Sequence, residues 1–157
     1  MLHPSEDPVL LLTALSAAAD DEVVLRVEDE GYHGLRRSHG YLFQHLLVAP
    51  MPISVLAERM GMTAQGVSKI VAELEGLGYV RREVGRDRRS RLVELTGRGR
   101  GAVAAARRAR AAVREGYLKI LGPEEGPAVL AALGRLAVVS GALPQLTHRR
   151  LRPMHNR

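Results

Sequence analysis

Apolar residues return at helical spacing along most of the chain. Val9 to Glu30 contains no Pro or Gly, and Val9, Leu12, Leu15, Ala19, Val23 and Val27 recur every three or four residues, predicting one long helix. Gly31 and Gly34 bracket a break, and Leu35 to Val48 predicts a second helix with Leu42, His45 or Leu46, and Ala49 facing inward. Ala49-Pro50-Met51-Pro52 reads as a stop. Ile53, Leu56, Ala57 and Met60 lie at i, i+3, i+4 and i+7 and mark a short third helix, with Pro52 at its first position, where a missing N–H costs little. Gly61 supplies a turn, and Thr63 suits an N-cap. Ala64 to Leu77 is predicted helical on a stripe of Val67, Ile70, Val71, Leu74 and Leu77, and Gly78 can end it in the left-handed conformation.

The period then shortens. Tyr79–Val84 and Arg91–Leu95 are β-like around the polar turn Gly85-Arg86-Asp87-Arg88, which predicts a two-stranded hairpin. Thr96 caps a helix running to about Leu121. On it Val103, Ala106, Arg110, Val113, Tyr117 and Ile120 are spaced 3, 4, 3, 4, 3, like a coiled-coil seam. A charge placed at Val113 is expected to separate two protomers joined along that seam. Gly122-Pro123 breaks the helix. Glu124 and Glu125 open a last one ending near Gly141, and Gly126, Pro127 and Gly134 predict that it is imperfect or restarts at Pro127. The tail from Thr147 is basic. The fold class is mainly α, with the hairpin adding a small β part (α+β). Residues 1–34 and 97–157 form a helical layer, and residues 35–96 a compact lobe projecting from it.

Aromatic residues make up only 3% of the chain, so the core must be built from Leu, Val, Ala and Ile. Cysteine is absent, which excludes disulfides, thiolate zinc sites and a Cys-based peroxide sensor, and fits a reducing cytoplasm. The polar start, Met1 to Pro8, lacks the pattern of a signal peptide, and there is no run of eighteen apolar residues. A cytoplasmic protein without a membrane partner is expected. The net charge of +6 is unevenly spread: residues 1–35 carry −7 and the rest +13, so one face suits a polyanion.

The middle of the chain carries the chemistry. Two short helices joined by a tight turn with Gly describe a helix-turn-helix, whose second helix can fill a major groove. Opposite its apolar stripe stand Ala64, Gln65, Ser68 and Lys69, small or polar and without a carboxylate, while Glu73 and Glu75 come later. The hairpin holds Arg81, Arg82, Arg86, Arg88, Arg89 and Arg91 within eleven residues, beside only Glu83 and Asp87. Such a cationic tip invites an anion, and arginine favours narrow minor grooves. Asp87 can hold a neighbouring arginine in one rotamer. The plain alternatives are a wet helix face and a solvated turn.

Residues about 40–101 resemble the winged helix-turn-helix of the MarR family. Leu56-Ala57-Glu58-Arg59-Met60-Gly61-Met62-Thr63 is similar to its first helix and turn. The run Val67-Ser68-Lys69-Ile70-Val71-Ala72-Glu73-Leu74-Glu75-Gly76-Leu77-Gly78-Tyr79-Val80 is similar to its recognition helix entering the wing. Asp87-Arg88-Arg89 matches its Asp-x-Arg wing motif, and Leu95-Thr96-Gly97-Arg98-Gly99 its Leu-Thr-x-x-Gly. The resemblance implies DNA contacts from Thr63, Ala64, Gln65, Ser68, Lys69, Arg86, Asp87, Arg88 and Arg89, with Arg89 in the minor groove and Asp87 orienting it. It also implies a homodimer through the terminal helices, with Val103, Ala106, Val113, Tyr117 and Ile120 at the interface. Such a dimer would read an inverted-repeat operator, as a repressor in the first instance. Pro52, Gly66 and the glycines of the last helix depart from the family pattern.

The family often takes small aromatic or anionic effectors between its layer and its lobe. His33, Arg36, Arg37, His39 and His45 cluster near that hinge and could bind an anion or respond to pH, although capping and inter-helix hydrogen bonds are the plainer uses. His39 and His45, six apart, do not form a metal pair, and no cofactor is implied. A protein that coats DNA without sequence choice and a winged-helix module for protein contact are the competing readings. No nucleophile–base motif, phosphate loop or metal signature points to an enzyme.

Overall fold

A computed structural model of the protein describes residues 3, 6–84 and 91–143. In order they form α1 (Pro8–Asp29), α2 (Arg37–Leu46), β1 (Met51–Pro52), α3 (Ile53–Met60), α4 (Ala64–Gly76), β2 (Val80–Val84), β3 (Arg91–Leu95) and α5 (Gly97–Val139). Local chemistry explains most of the boundaries. The Asp7 carboxylate accepts from the Val9 and Leu10 amides at the start of α1, and Pro8 takes the first turn. Gly61, at φ 65°, ends α3 in the left-handed region. Gly78, at φ 77°, does the same after α4.

The strands form an antiparallel sheet ordered β1-β3-β2, with Val80 opposite Leu95 and Met51 opposite Val93. The hairpin strands fall where the alternation predicts. Strand β1 is an addition, because a two-residue strand has no periodicity of its own and exists only by pairing with β3. Pro52 is tolerated there because β1 lies at the sheet edge. It also serves as the N-cap of α3, one position before the expected one.

One core joins α2, α3, α4 and the sheet through Leu42, Phe43, Leu46, Leu56, Met60, Val67, Val71, Leu74, Tyr79 and Val93. Ala102 and Val103 of α5 enter this core, so the lobe's packing runs past residue 96. A smaller cluster of Val27, Ala105 and Ala109 joins α1 to α5, with Ala106 packed against it. Alanine lets the two helices approach closely, and Arg108 pairs with Glu30 across the same joint.

Two expectations for α5 need correction. The helix leaves helical geometry only at Gly122 (φ 78°, ψ 177°) and does not restart at Pro127. Pro123 and Pro127 both lie early in the arm that follows Gly122, where few intrahelical bonds are forfeited. Gly126 is a packing residue: a Cβ there would stand 2.7 Å from Leu118 Cδ2, so its absence lets the second arm fold back on the first. The predicted seam is also largely used inside the chain. Val103 is 3% and Val113 7% exposed, whereas Tyr117 and Ile120 remain open at 36% and 82%. The period is real, but Val103 is already taken by the lobe core, Ala106 packs against the α1–α5 cluster, and Val113 is buried within the one chain.

Candidate nucleic-acid interface

The turn between α3 and α4 sets the stage for a reading helix. Thr63 Oγ1 accepts from the Gly66 amide at 3.1 Å. A Cβ on Gly66 would meet that oxygen at 3.2 Å and Met62 Cε at 3.4 Å, so glycine here serves a tight cap. Removing the cap with Thr63→Ala is expected to lower stability by about 1 kcal/mol, read as a shift of the urea midpoint at unchanged slope. Along α4, Val67, Val71 and Leu74 are buried and Ile70 half-buried. Leu77, predicted on the same stripe, is exposed, because α4 ends at Gly76 and Leu77 is its C-cap. On the opposite side Thr63, Ala64, Gln65 and Lys69 are exposed and Ser68 is half-buried, so the structure brings these sequence-chosen residues onto one end of one helix.

The nearby carboxylates are matched by cations. Glu73 pairs with Arg36 and lies 3.5 Å from His39 Nε2. Glu75 lies 3.5 Å from Arg82 Nε, and Arg81 pairs with Glu94 and, at 2.8 Å, with Glu83. Two of the six hairpin arginines are therefore engaged within the fold and are not free cations of the tip. The expected contacts Arg86, Asp87, Arg88 and Arg89 lie outside the described residues. The Arg36–Glu73 pair escaped the sequence reading because its members are 37 positions apart on different helices.

A second group ties this lobe to the long helices. The Arg98 guanidinium lies 4.8 Å from the Tyr79 ring centroid and 5.7 Å from that of Tyr32. Its Nη2 donates to the Gly31 carbonyl at 3.0 Å, and Tyr79 Oη donates to the His33 carbonyl at 2.8 Å. Close by, a cavity opens between α1, α2 and α5, with Val23, Val27 and Phe43 as apolar wall and Arg36, Arg37 and Arg110 as cations. Arg37 is paired there with Asp20 at 3.0 Å. Of the candidate sensor residues, Arg36, Arg37 and His39 line this space. Among the described residues no group of His, Asp or Glu is placed to hold a metal, and no helix is long and apolar enough to cross a membrane.

Residues 33–90, which hold the helix-turn-helix and reach into the hairpin, match the MarR family model. The chain carries a MarR-family domain. The MarR family is one of DNA-binding transcriptional regulators, not of enzymes, and the winged-helix architecture with a long C-terminal helix agrees with it. The fold is similar to that of YusO from Bacillus subtilis, at 24% identity and TM-score 0.70 over 85% of this chain and 94% of that one. It is similar to a mutant of MepR from Staphylococcus aureus bound to an oligodeoxyribonucleotide, at 18% identity and TM-score 0.63 over 88% and 99%. It is also similar to the transcriptional repressor CouR bound to a 23-mer DNA duplex, at 22% identity and TM-score 0.63 over 87% and 99%. No curated protein sequence matches the chain. At these identities the structural likenesses speak for the MarR fold rather than for a particular operator or ligand.

Proposed function

We propose that the protein is a homodimeric, sequence-specific DNA-binding regulator of transcription, acting as a repressor on an inverted-repeat operator. The observation that carries this reading is the exposed N-terminal end of α4. Thr63, Gln65 and Lys69 stand there free of carboxylates, and Glu73 and Glu75 further along are paired with Arg36 and Arg82. An α-helix fits the major groove, where Gln65 can address base edges and Lys69 a phosphate. Arg89 is assigned to the minor groove on its sequence motif, with Arg86, Asp87 and Arg88 beside it. The DNA-bound states of the MepR mutant and CouR support this choice of partner.

A dimer is favoured by apolar surface that one chain leaves open. Val9, Leu12 and Leu15 of α1 and Leu130, Leu133, Leu136 and Val139 of α5 are all exposed. A second copy would cover them, along with Tyr117 and Ile120, and would set two α4 helices about one DNA turn apart. The cavity with Arg36, Arg37 and Arg110 suits a small anionic or aromatic effector that releases DNA.

The deciding experiment is an anisotropy titration of DNA from upstream of the protein's own gene against a scrambled duplex, over a salt series. Binding at least about a thousandfold tighter to the upstream DNA, with log K falling steeply in log salt, is the expected result. Equal affinity for both duplexes overturns sequence choice in favour of a coating protein. Gln65→Ala is expected to relax discrimination at one base pair, by about 1–3 kcal/mol, while Lys69→Ala weakens binding evenly and lowers the salt slope by about 1.

A further inference from the structure

The chain passes between the α1–α5 pair and the lobe core twice, and both crossings are rich in glycine. Gly31 (φ 88°) and Gly34 (φ 75°) bracket the passage from α1 to α2. Gly97, Gly99 and Gly101 alternate with Arg98 and Arg100 through the first turns of α5. Backbone without Cβ atoms bends most readily, so neither crossing is stiff by itself. Helix α1 packs chiefly on α5. Beyond the exposed Asp20–Arg37 pair, its tie to the lobe runs through the residues just past its end.

One side chain reaches both crossings. Arg98 Nη2 donates to the Gly31 carbonyl at 3.0 Å and to Tyr79 Oη at 3.3 Å, and Tyr79 Oη donates in turn to the His33 carbonyl at 2.8 Å. The same guanidinium lies over the Tyr79 and Tyr32 rings. Tyr32 is itself pressed against α5, where a Cβ on Gly101 would overlap its hydroxyl. Tyr79 belongs to the lobe core and is fully buried. The end of α1, the start of α5 and the lobe core are therefore joined at a single guanidinium.

We infer that Arg98 is a positioning residue, a clamp that fixes the lobe against the long helices and so sets the separation of the two α4 helices in a dimer. The inference rests on the dimeric DNA-binding reading above. A lobe free to tilt about its glycine joints carries α4 with it, because α4 and Tyr79 share one core. The α4 pair then loses its fixed distance, and with it a fixed half-site spacing. Ordering loose lobes on DNA costs affinity at the matched site, while a mismatched spacing costs less than it does for a rigid dimer.

Cysteine is absent from the chain, so Ala72→Cys, at an exposed position of α4, places one spin label on each protomer. Dipolar spectroscopy of the labelled full chain, free of DNA, reads the distance between the two α4 helices. One narrow distance is expected. Arg98→Met keeps an aliphatic stem and removes the donors and the charge. It should widen or shift that distance by about 3 Å or more, roughly the rise of one base pair. Tyr79→Phe removes only the hydroxyl between Arg98 and His33, and should act in the same direction to a smaller extent. A role confined to stability would lower the thermal midpoint and leave the distance as it was.

The unlabelled proteins are then titrated by anisotropy against a duplex recovered by in vitro selection, with one or two base pairs added between its half-sites. Each added pair turns one half-site by about 35° against the other. Wild type is expected to lose at least about tenfold in affinity per added pair, and Arg98→Met about threefold or less. A lost phosphate contact would instead weaken every duplex evenly.

If the distance or the spacing profile of the variants coincides with that of wild type, or the wild-type distance is already broad, the inference alone is overturned. If Arg98→Met does not fold, Tyr79→Phe decides on the same two readings. A labelled wild type without a dipolar signal overturns the dimer, and failure to recover any duplex overturns DNA binding; either takes this inference with it.

Discussion

Gly99→Ala is expected to destabilise the protein by about 3 kcal/mol or more, lowering the thermal midpoint by about 10 °C. The start of α5 is stitched to the end of the turn after α4 by backbone and hydroxyl bonds. Thr96 N–H donates to the Tyr79 carbonyl at 3.0 Å, Thr96 Oγ1 donates to the Gly78 carbonyl at 2.7 Å, and the Gly99 amide donates to Thr96 Oγ1 at 3.1 Å. This draws the Cα of Gly99 against the Tyr79 carbonyl. A Cβ there would overlap the carbonyl oxygen and stand 3.2 Å from its carbon and 3.0 Å from Leu95 Cδ2. The severe obstacle is the Tyr79 backbone carbonyl, which cannot swing away as the Leu95 side chain could. Relief requires moving α5 off the sheet, which breaks the three bonds and uncovers Tyr79, now fully buried. Calorimetry of the variant checks this, and a midpoint within about 2 °C of wild type would show that α5 can shift freely.

The second large effect concerns assembly. Leu15→Asp should leave a folded monomer, because Leu15 is 54% exposed and its removal opens no cavity within the chain. A carboxylate buried between two protomers without a partner costs several kcal/mol, enough to dissociate a dimer at micromolar concentration. A monomer can hold only one half-site, so operator affinity should fall by about a hundredfold or more. Sedimentation gives the mass and far-ultraviolet circular dichroism the fold. An intact dimer would remove this part of α1 from the interface. Val113→Asp, aimed at the same interface from spacing alone, should behave differently. Val113 is 7% exposed within one chain, so the variant should lose its helical signal and thermal stability, by about 3 kcal/mol or more, rather than merely its partner.

That contrast shows where the sequence is legible. Helices α1, α3 and α4 and the hairpin strands lie within a few residues of their predicted bounds, because caps and breakers act locally. Asp7, Gly61, Thr63, Gly78, Thr96 and Gly122 each do their work within about one turn of their own position. The candidate face on α4 was legible for the same reason: a helix of known start places Gln65 and Lys69 opposite Val67 and Val71 by geometry alone. Three of the four family motifs, those in Leu56–Thr63, Val67–Val80 and Asp87–Arg89, fall inside the segment that the MarR match covers, residues 33–90, and Leu95–Gly99 lies past its end.

What lay beyond the sequence are the choices made between distant segments. The heptad spacing in α5 marks an apolar side but not what covers it, and Val103 and Val113 are already buried within one chain. Strand β1 has no pattern to detect. Glu73 reads as a surface carboxylate until α2 brings Arg36 and His39 to it. By itself the sequence determined the order, caps and faces of the elements, since these follow from backbone sterics and from bonds a few residues long. Only the tertiary structure decided which face meets which, and therefore which arginines, carboxylates and histidines are engaged. Those pairings are contests among surfaces of similar hydrophobicity, settled by shape and by the burial of the whole chain at once.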